Sequence, residues 1–139
     1  MLRFGFLILL SMAAVRPAAA DGYGDLLQCA ELKEPLINSA ILCSQALRSG
    51  TLTEPQAALA LLYRGYIALQ LEEYRNAIQD LSMSIQFNPD IADAYYYKGL
   101  AFEAQGEVAR ADGQYRNAFL LSPEDPEILA KMRERSLLN

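Results

Sequence analysis

A unit of 34 residues occurs twice in succession, and it constrains the fold of this chain more than any other feature of the sequence. The first copy spans residues 58–91 and the second spans residues 92–125, and the two align without a gap. The alignment superposes identical residues at fixed positions: Gly65 on Gly99, Ala77 on Ala111 and Pro89 on Pro123. Small residues and a proline that return at this period are typical of proteins built from stacked repeats.

Each copy is predicted to contain two helices. Apolar residues recur at helical intervals, and the prolines at 89 and 123 stop a helix because the residue before a proline is displaced from the helical region. We expect Thr53 and Gln56 to form a capping box at the first helix, and Asp90 to cap the third. The four predicted helices cover residues 57–70, 74–87, 91–105 and 108–121.

Residues 1–20 have the composition of a secretory signal peptide. Arg3 precedes an apolar run, and three alanines end the segment. We expect cleavage between Ala20 and Asp21. The alternative is an uncleaved membrane anchor, but the apolar core is shorter than the roughly 20 residues that a spanning helix needs. The predicted compartment is the periplasm of a Gram-negative bacterium, with secretion as the alternative and no stable membrane span after cleavage.

Composition excludes several functional classes. Without residues 1–20 the chain keeps 10 basic and 17 acidic residues, a net charge of −7, which disfavours nucleic acids and anionic membranes as partners. The chain has no histidine for acid–base chemistry or metal binding. It also lacks a nucleophile motif and a phosphate-binding glycine loop. We therefore expect no enzymatic activity, no cofactor, no metal and no small-molecule substrate.

The two cysteines, Cys29 and Cys43, lie in the predicted exported part. Helical spacing over residues 25–33 and 36–48 predicts a hairpin broken at Pro35, with the cysteines equidistant from Leu36. Such positions lie side by side in an antiparallel hairpin, and an oxidising compartment favours a disulfide between them. Two buried free thiols, a metal pair and a redox pair are the alternatives.

The repeats resemble tetratricopeptide repeats, whose pattern is W-x2-L-G-x2-Y, then A-x3-F, then P. The first copy supplies Leu61, Arg64, Gly65, Ala68, Ala77, Leu81 and Pro89 in those places, and the second supplies Tyr95, Lys98, Gly99, Phe102, Ala111, Tyr115 and Pro123. We expect Gly65 and Gly99 to let the facing helix of the same repeat approach closely, and Ala77 and Ala111 to be the small residues that contact them. Arg64 and Lys98 depart from the leucine of the pattern, and we expect their charged heads to reach water.

The resemblance implies an all-α fold, a right-handed α-solenoid of antiparallel helix pairs with seven helices in all. The hairpin resembles a degenerate repeat, and a last helix over residues 127–137 resembles the capping helix that such arrays need. The implied division is 1–20 for the signal peptide, 21–52 for the hairpin, 53–91 and 92–125 for the two repeats, and 126–139 for the cap.

The resemblance also implies that the first helix of each repeat lines a concave groove for a peptide or a partner helix. The residues that we expect to contact a ligand are Tyr63, Tyr66, Leu69, Gln70, Tyr96, Tyr97, Leu100 and Glu103. The same face includes Leu59, Leu62, Asp93, Glu127, Ala130 and Lys131. Some family members hold a terminal carboxylate with lysine and asparagine on this face, whereas this chain has tyrosines and acids there.

Three functional hypotheses follow. The first is a protein-binding adaptor, with an apolar ligand segment over the first copy and a basic or polar one over the second. The second is a self-associating structural module. Its groove would be filled either by its own hairpin or by another copy of the chain, and the latter arrangement is a homo-oligomer. The third is a fragment of, or an accessory to, an enzyme.

Overall fold

The fold is seen in a computed structural model that describes residues 21–138. This part contains seven helices and no strand, so the predicted all-α fold is confirmed. The signal segment and Ala20 of the predicted cleavage site lie outside the described residues. The helices are α1 (Gly22–Ala30), α2 (Leu36–Arg48), α3 (Glu54–Gln70), α4 (Tyr74–Phe87), α5 (Ala92–Ala104), α6 (Val108–Leu121) and α7 (Pro126–Glu134).

The capping box at α3 is confirmed. The backbone N–H of Thr53 donates to Gln56 Oε1 at 2.9 Å, and the backbone N–H of Gln56 donates to Thr53 Oγ1 at 3.5 Å. Both return helices, α4 and α6, have the predicted bounds. These ends follow from local chemistry, since a proline or a reciprocal cap fixes a helix terminus whatever packs around it.

Other helix ends differ from the prediction, and α1 also ends at Ala30, three residues before the predicted end. Ile91, and not Asp90, is the N-cap of α5, without a side-chain hydrogen bond, while the Asp90 N–H donates to Asn88 Oδ1 at 3.1 Å. Helix α1 begins earlier than expected because Asp21 accepts a hydrogen bond from the Tyr23 N–H. Helix α7 ends at Glu134, two residues before Ser136, which has a positive φ of 53°.

The helices form successive pairs, α1 with α2, α3 with α4 and α5 with α6, and α7 packs on α6. Each second helix also packs against the first helix of the next pair, so α2 lies against α3 and α4 against α5. The first helices contact each other in order, α1 with α3 and α3 with α5. Within residues 21–138, no helix is both long and apolar enough to cross a membrane.

The repeated glycines make room for a large side chain on the facing helix. A Cβ atom on Gly65 would lie 2.7 Å from Leu81 Cγ, and one on Gly99 would lie 2.5 Å from Tyr115 Cε1. The expectation that Ala77 and Ala111 meet the glycines holds for Ala77, whose carbonyl oxygen lies 3.4 Å from that Cβ on Gly65, whereas at Gly99 the three nearest atoms all belong to Tyr115. Both alanines are nevertheless fully buried in the core.

Different interactions hold the two ends of the array. A disulfide joins Cys29 of α1 to Cys43 of α2, with the two Cα atoms 5.0 Å apart, and both cysteines are buried beside Ile67 of α3. At the other end Ile128 and Met132 of α7 are buried in the cluster that contains Phe102 and Tyr115. Arg135, just after α7, donates from Nε to Asp112 Oδ1 of α6 at 2.9 Å.

Candidate functional site

Four tyrosines form a continuous row across α3, α5 and α6. The ring centroids of Tyr66 and Tyr97 are 4.9 Å apart, those of Tyr97 and Tyr96 are 5.7 Å apart, and those of Tyr96 and Tyr115 are 6.0 Å apart. Tyr115 is buried, whereas Tyr66, Tyr96 and Tyr97 are half-buried and keep part of their surface in water. We call these three partly exposed residues the tyrosine row.

The contact between α3 and α5 creates the tyrosine row. Tyr66 follows Gly65 on α3, and Tyr96 and Tyr97 lie near the start of α5, where the two first helices meet. Tyr63 belongs to the same predicted set, but the structure places it elsewhere: it packs on the two clusters that contain Leu26, Cys29 and Ile67. The N-terminal hairpin therefore covers part of Tyr63.

Acidic side chains surround the second half of the tyrosine row. Partial desolvation raises the pKa of Asp93, whose side chain keeps an exposed surface, and the negative charges of Asp125 and Glu127 raise it further. Burial also raises the pKa of Tyr97 to about 12, with the charge of Asp93 as the next cause. Within residues 21–138, Asp93 and Glu127 have no salt-bridge partner. Acidic groups thus dominate this part of the surface, and the charge of Lys131 opposes their effect at Tyr96.

Glu103, which was predicted as a contact residue, is instead engaged with the C-terminal end of the chain. Its carboxylate accepts a hydrogen bond from the Tyr115 hydroxyl. It lies 3.5 Å from Lys131 Nζ and 3.9 Å from an Arg135 guanidinium nitrogen. Burial and the hydrogen bond to Glu103 raise the pKa of Tyr115. Glu103 therefore helps to hold the last helix on the array.

The other predicted groove residues have unequal access to a ligand. Leu69 and Leu100 are half-buried against the core, whereas Gln70 is exposed at the end of α3. Leu62 is only 5% exposed and belongs to the core, so it is not available for contact. On the rest of the expected face, Leu59, Asp93, Glu127 and Ala130 are exposed and Lys131 is half-buried.

An ion pair that the sequence analysis missed lies among α2, α3 and α4. Arg64 donates from Nε and Nη2 to the two carboxylate oxygens of Asp80 at 2.7 and 2.8 Å, and from Nη1 to Ser44 Oγ at 3.1 Å. The Arg64 side chain, which was expected to reach water, is 30% exposed, but its head is paired with Asp80 and Ser44. The only sequence signal was the difference between the copies, since Asp80 aligns with Gln114. A cavity of about 350 Å³ opens beside this pair.

No group of three or more His, Cys, Asp or Glu side chains in residues 21–138 is placed to hold a metal ion. The described residues also leave no buried side-chain nitrogen or oxygen without a hydrogen-bond partner. What the described surface offers is partly exposed aromatic area, acidic side chains without a salt-bridge partner, and several cavities, one of them beside the Arg64–Asp80 pair. These features suit recognition of another molecule.

Residues 65–106 match a family model described as TPR repeat. Solved structures share the fold over most of the chain. The Hsp90 co-chaperone Cns1 from Saccharomyces cerevisiae is similar over 84% of this chain at 22% identity and a TM-score of 0.77. That match spans only 38% of the Cns1 chain, well under half its length.

Two isolated TPR domains match along nearly their whole length. The first TPR of Spaghetti (RPAP3), bound to the HSP90 peptide SRMEEVD, is similar over 86% of this chain and 95% of its own, at 15% identity and a TM-score of 0.74. The Arabidopsis OM64 TPR domain is similar over 85% and 97%, at 17% identity and a TM-score of 0.73. No curated protein matches this chain in sequence.

Proposed function

We propose that this chain, which matches the TPR-repeat model over residues 65–106 and has the fold of TPR domains, is a non-enzymatic adaptor that binds an extended peptide or a partner helix on the tyrosine row. The observation that carries the proposal is the row itself, formed by Tyr66, Tyr97 and Tyr96 where two first helices meet. Tyrosine combines apolar area, a hydroxyl group and a small loss of side-chain entropy, which is why it is enriched in binding hot spots.

The charge around the row favours a ligand that is apolar over the first copy and basic over the second. Asp93 and Glu127 lack a salt-bridge partner within the described part of the chain, and their mutual repulsion helps to raise the pKa of Asp93. A lysine or arginine of the ligand would relieve that repulsion and could lie over a tyrosine ring. An acidic peptide such as the SRMEEVD bound to Spaghetti would be repelled here.

The compartment of this adaptor is proposed to be an exported one, the bacterial periplasm or the extracellular medium. Two features support it. Residues 1–20 have the composition of a signal peptide, and Cys29 and Cys43 are joined in a disulfide, which persists in oxidising compartments.

The proposal is tested by crosslinking and mass spectrometry in the native envelope, followed by binding of the identified partner to purified variants. We expect Tyr66→Ala combined with Tyr96→Ala to weaken binding at least tenfold, because both rings belong to the partly exposed row. Asp93→Asn should weaken binding less and reduce its dependence on salt. Tyr74→Ala, a change of the same type on α4, is the matched control and should bind as the parent does.

Binding that survives the double substitution would overturn the proposal. The competing function is self-association, and it has an observation in its favour, since Leu120 is 78% exposed near the end of α6. Light scattering of the purified chain separates the two. A stable oligomer that hides the tyrosine row would support the structural module, whereas a monomer that binds its partner supports the adaptor.

A further inference from the structure

The cavity between α2, α3 and α4 arises where the first copy carries an alanine and the second a phenylalanine. Ala68 lines the cavity, and the aligned residue of the second copy is Phe102. Phe102 is 2% exposed, and Ile78 of α4 packs on the cluster that contains its ring. The cavity is therefore the counterpart of a space that an aromatic side chain fills one repeat later.

The walls of the cavity suit an aromatic ring. Half of the residues that line the cavity are apolar and can pack on the faces of a ring. The polar half consists of Ser44, Arg64, Glu73, Asn76, Gln79 and Asp80, and the charges of Arg64 and Asp80 offset each other. The volume of about 350 Å³ is ample, since an apolar cavity of about 150 Å³ already accepts benzene. The apolar residues that line it are Ile37, Ala40, Ile67, Ala68, Leu71 and Met83.

The charges at the cavity favour an uncharged ring over an anion. Arg64 is already matched by Asp80, and Glu73 also lines the cavity, so an anionic ligand would find no excess positive charge. In the second copy the Phe102 ring lies near cations, with Arg110 Cζ 4.0 Å and Lys98 Nζ 5.9 Å from its centroid. Since Arg64 aligns with Lys98, a ring in the cavity would lie near an equivalent cation.

We propose that this cavity is a second protein-contact site, which takes an uncharged, phenylalanine-like aromatic side chain of a partner protein. The occupant is assigned to a side chain because the counterpart space in the second copy is filled by a side chain, Phe102. No residue of the tyrosine row lines the cavity. The site is therefore separate from the proposed peptide site, and each of the two proposals can be tested without the other.

The test is an NMR titration of the full chain with N-acetyl-L-phenylalaninamide, a minimal phenylalanine side chain with an uncharged backbone. We expect saturable shifts confined to the methyl groups of Ala40, Ala68 and Met83, and weaker binding of N-acetyl-L-leucinamide and of phenylacetate. Ala68→Phe, which copies the second repeat, should weaken binding at least tenfold and raise the melting temperature. Shifts centred on the tyrosine row, or equal binding to the Ala68→Phe variant, would overturn the proposal.

Two further variants protect the test against a failure of Ala68→Phe to fold. Ala40→Leu narrows the cavity from α2 and should also weaken binding, whereas Ala104→Phe adds the same ring to an exposed position on α5 and should leave binding unchanged. Benzyl alcohol provides the last comparison. If it binds as tightly as the amide, the cavity takes free aromatic molecules, and the assignment to a partner's side chain is wrong.

Discussion

Gly99 and Gly113 both lie inside helices, but only Gly99 faces a side chain that leaves no room for a Cβ atom. A Cβ atom on Gly99 would lie 2.5 Å from the ring of Tyr115, whereas one on Gly113 would meet nothing within 4 Å. Tyr115 cannot easily move aside, because it is fully buried and its hydroxyl donates to Glu103. The effect of an alanine substitution on stability should therefore be set by steric contact at Gly99 and by backbone entropy at Gly113.

We predict that Gly99→Ala destabilises the chain by about 1–3 kcal/mol, the usual cost of overpacking a core. Gly113→Ala, its control, should stabilise the chain by about 0.5–1 kcal/mol, the difference in helix propensity between the two residues. Urea unfolding followed by circular dichroism measures both. Equal effects of the two substitutions would show that the contact with Tyr115 does not constrain Gly99.

The Arg64–Asp80 pair shows where reasoning from the sequence fails at this scale. The two residues are 16 positions apart on different helices, and Ser44 comes from a third. No periodicity reports which polar residues meet across three helices, so the local pattern predicted a hydrated arginine head. Glu103 is a similar case, because its partners Tyr115, Lys131 and Arg135 come from the end of the chain.

Individual helices were predicted well wherever a local signal fixed their ends. Prolines stop α4 and α6, and the Thr53–Gln56 box starts α3, as expected. The signal was weaker at α5, where Asp90 follows a proline and its side chain makes no capping hydrogen bond. Which faces of these helices are open depends on what packs beside them, and so Tyr63 could not be assigned from the sequence.

The disulfide is predicted to hold α1 on the array. This helix has only nine residues, and its buried residues are Gly22, Leu26 and Cys29, so it has little apolar contact of its own. Cys29 and Cys43 are 14 residues apart, and a loop of that length corresponds to about 3 kcal/mol in the chain-entropy model.

Cys29→Ser combined with Cys43→Ser should therefore lower the free energy of unfolding by about 2–4 kcal/mol. Amide hydrogen exchange should show the loss of protection first in α1 and last in α5 and α6. A reduced parent chain should behave as the double variant does. If protection were instead lost equally along all helices, the disulfide would not act locally on α1 but would stabilise the whole array.

The molecule as a whole combines a repeat with two unlike ends. Stacked helix pairs bury one another's faces, so the array needs something to close each end. Here a disulfide-linked hairpin covers one end, and α7 covers the other through Ile128, Met132 and the residues around Glu103. The repeat and its period were readable from the sequence, whereas the Ser44–Arg64–Asp80 network and the cavity beside it depend on three helices meeting in space.

Alkaline pH should destabilise the whole array through its tyrosines. Burial raises the pKa of Tyr97 to about 12, above the value of about 10 for an exposed tyrosine, and burial also raises the pKa of Tyr115. Between pH 10 and 12 the unfolded chain thus loses protons that the folded chain retains. The resulting stability is complete below about pH 10 and is lost as the pH rises through 12.

The rings of Tyr66 and Tyr97 link α3 to α5, and those of Tyr96 and Tyr115 link α5 to α6, so ionisation of these rings weakens contacts both between two helix pairs and within one. We expect urea midpoints to fall steadily between pH 9.5 and 11.5, in the absence of thiols, with all helices unfolding together. Tyr97→Phe keeps the ring but removes the ionisable hydroxyl, so the midpoint should fall less steeply with pH. An identical slope in the variant would mean that Tyr97 does not bind its proton more tightly in the folded chain.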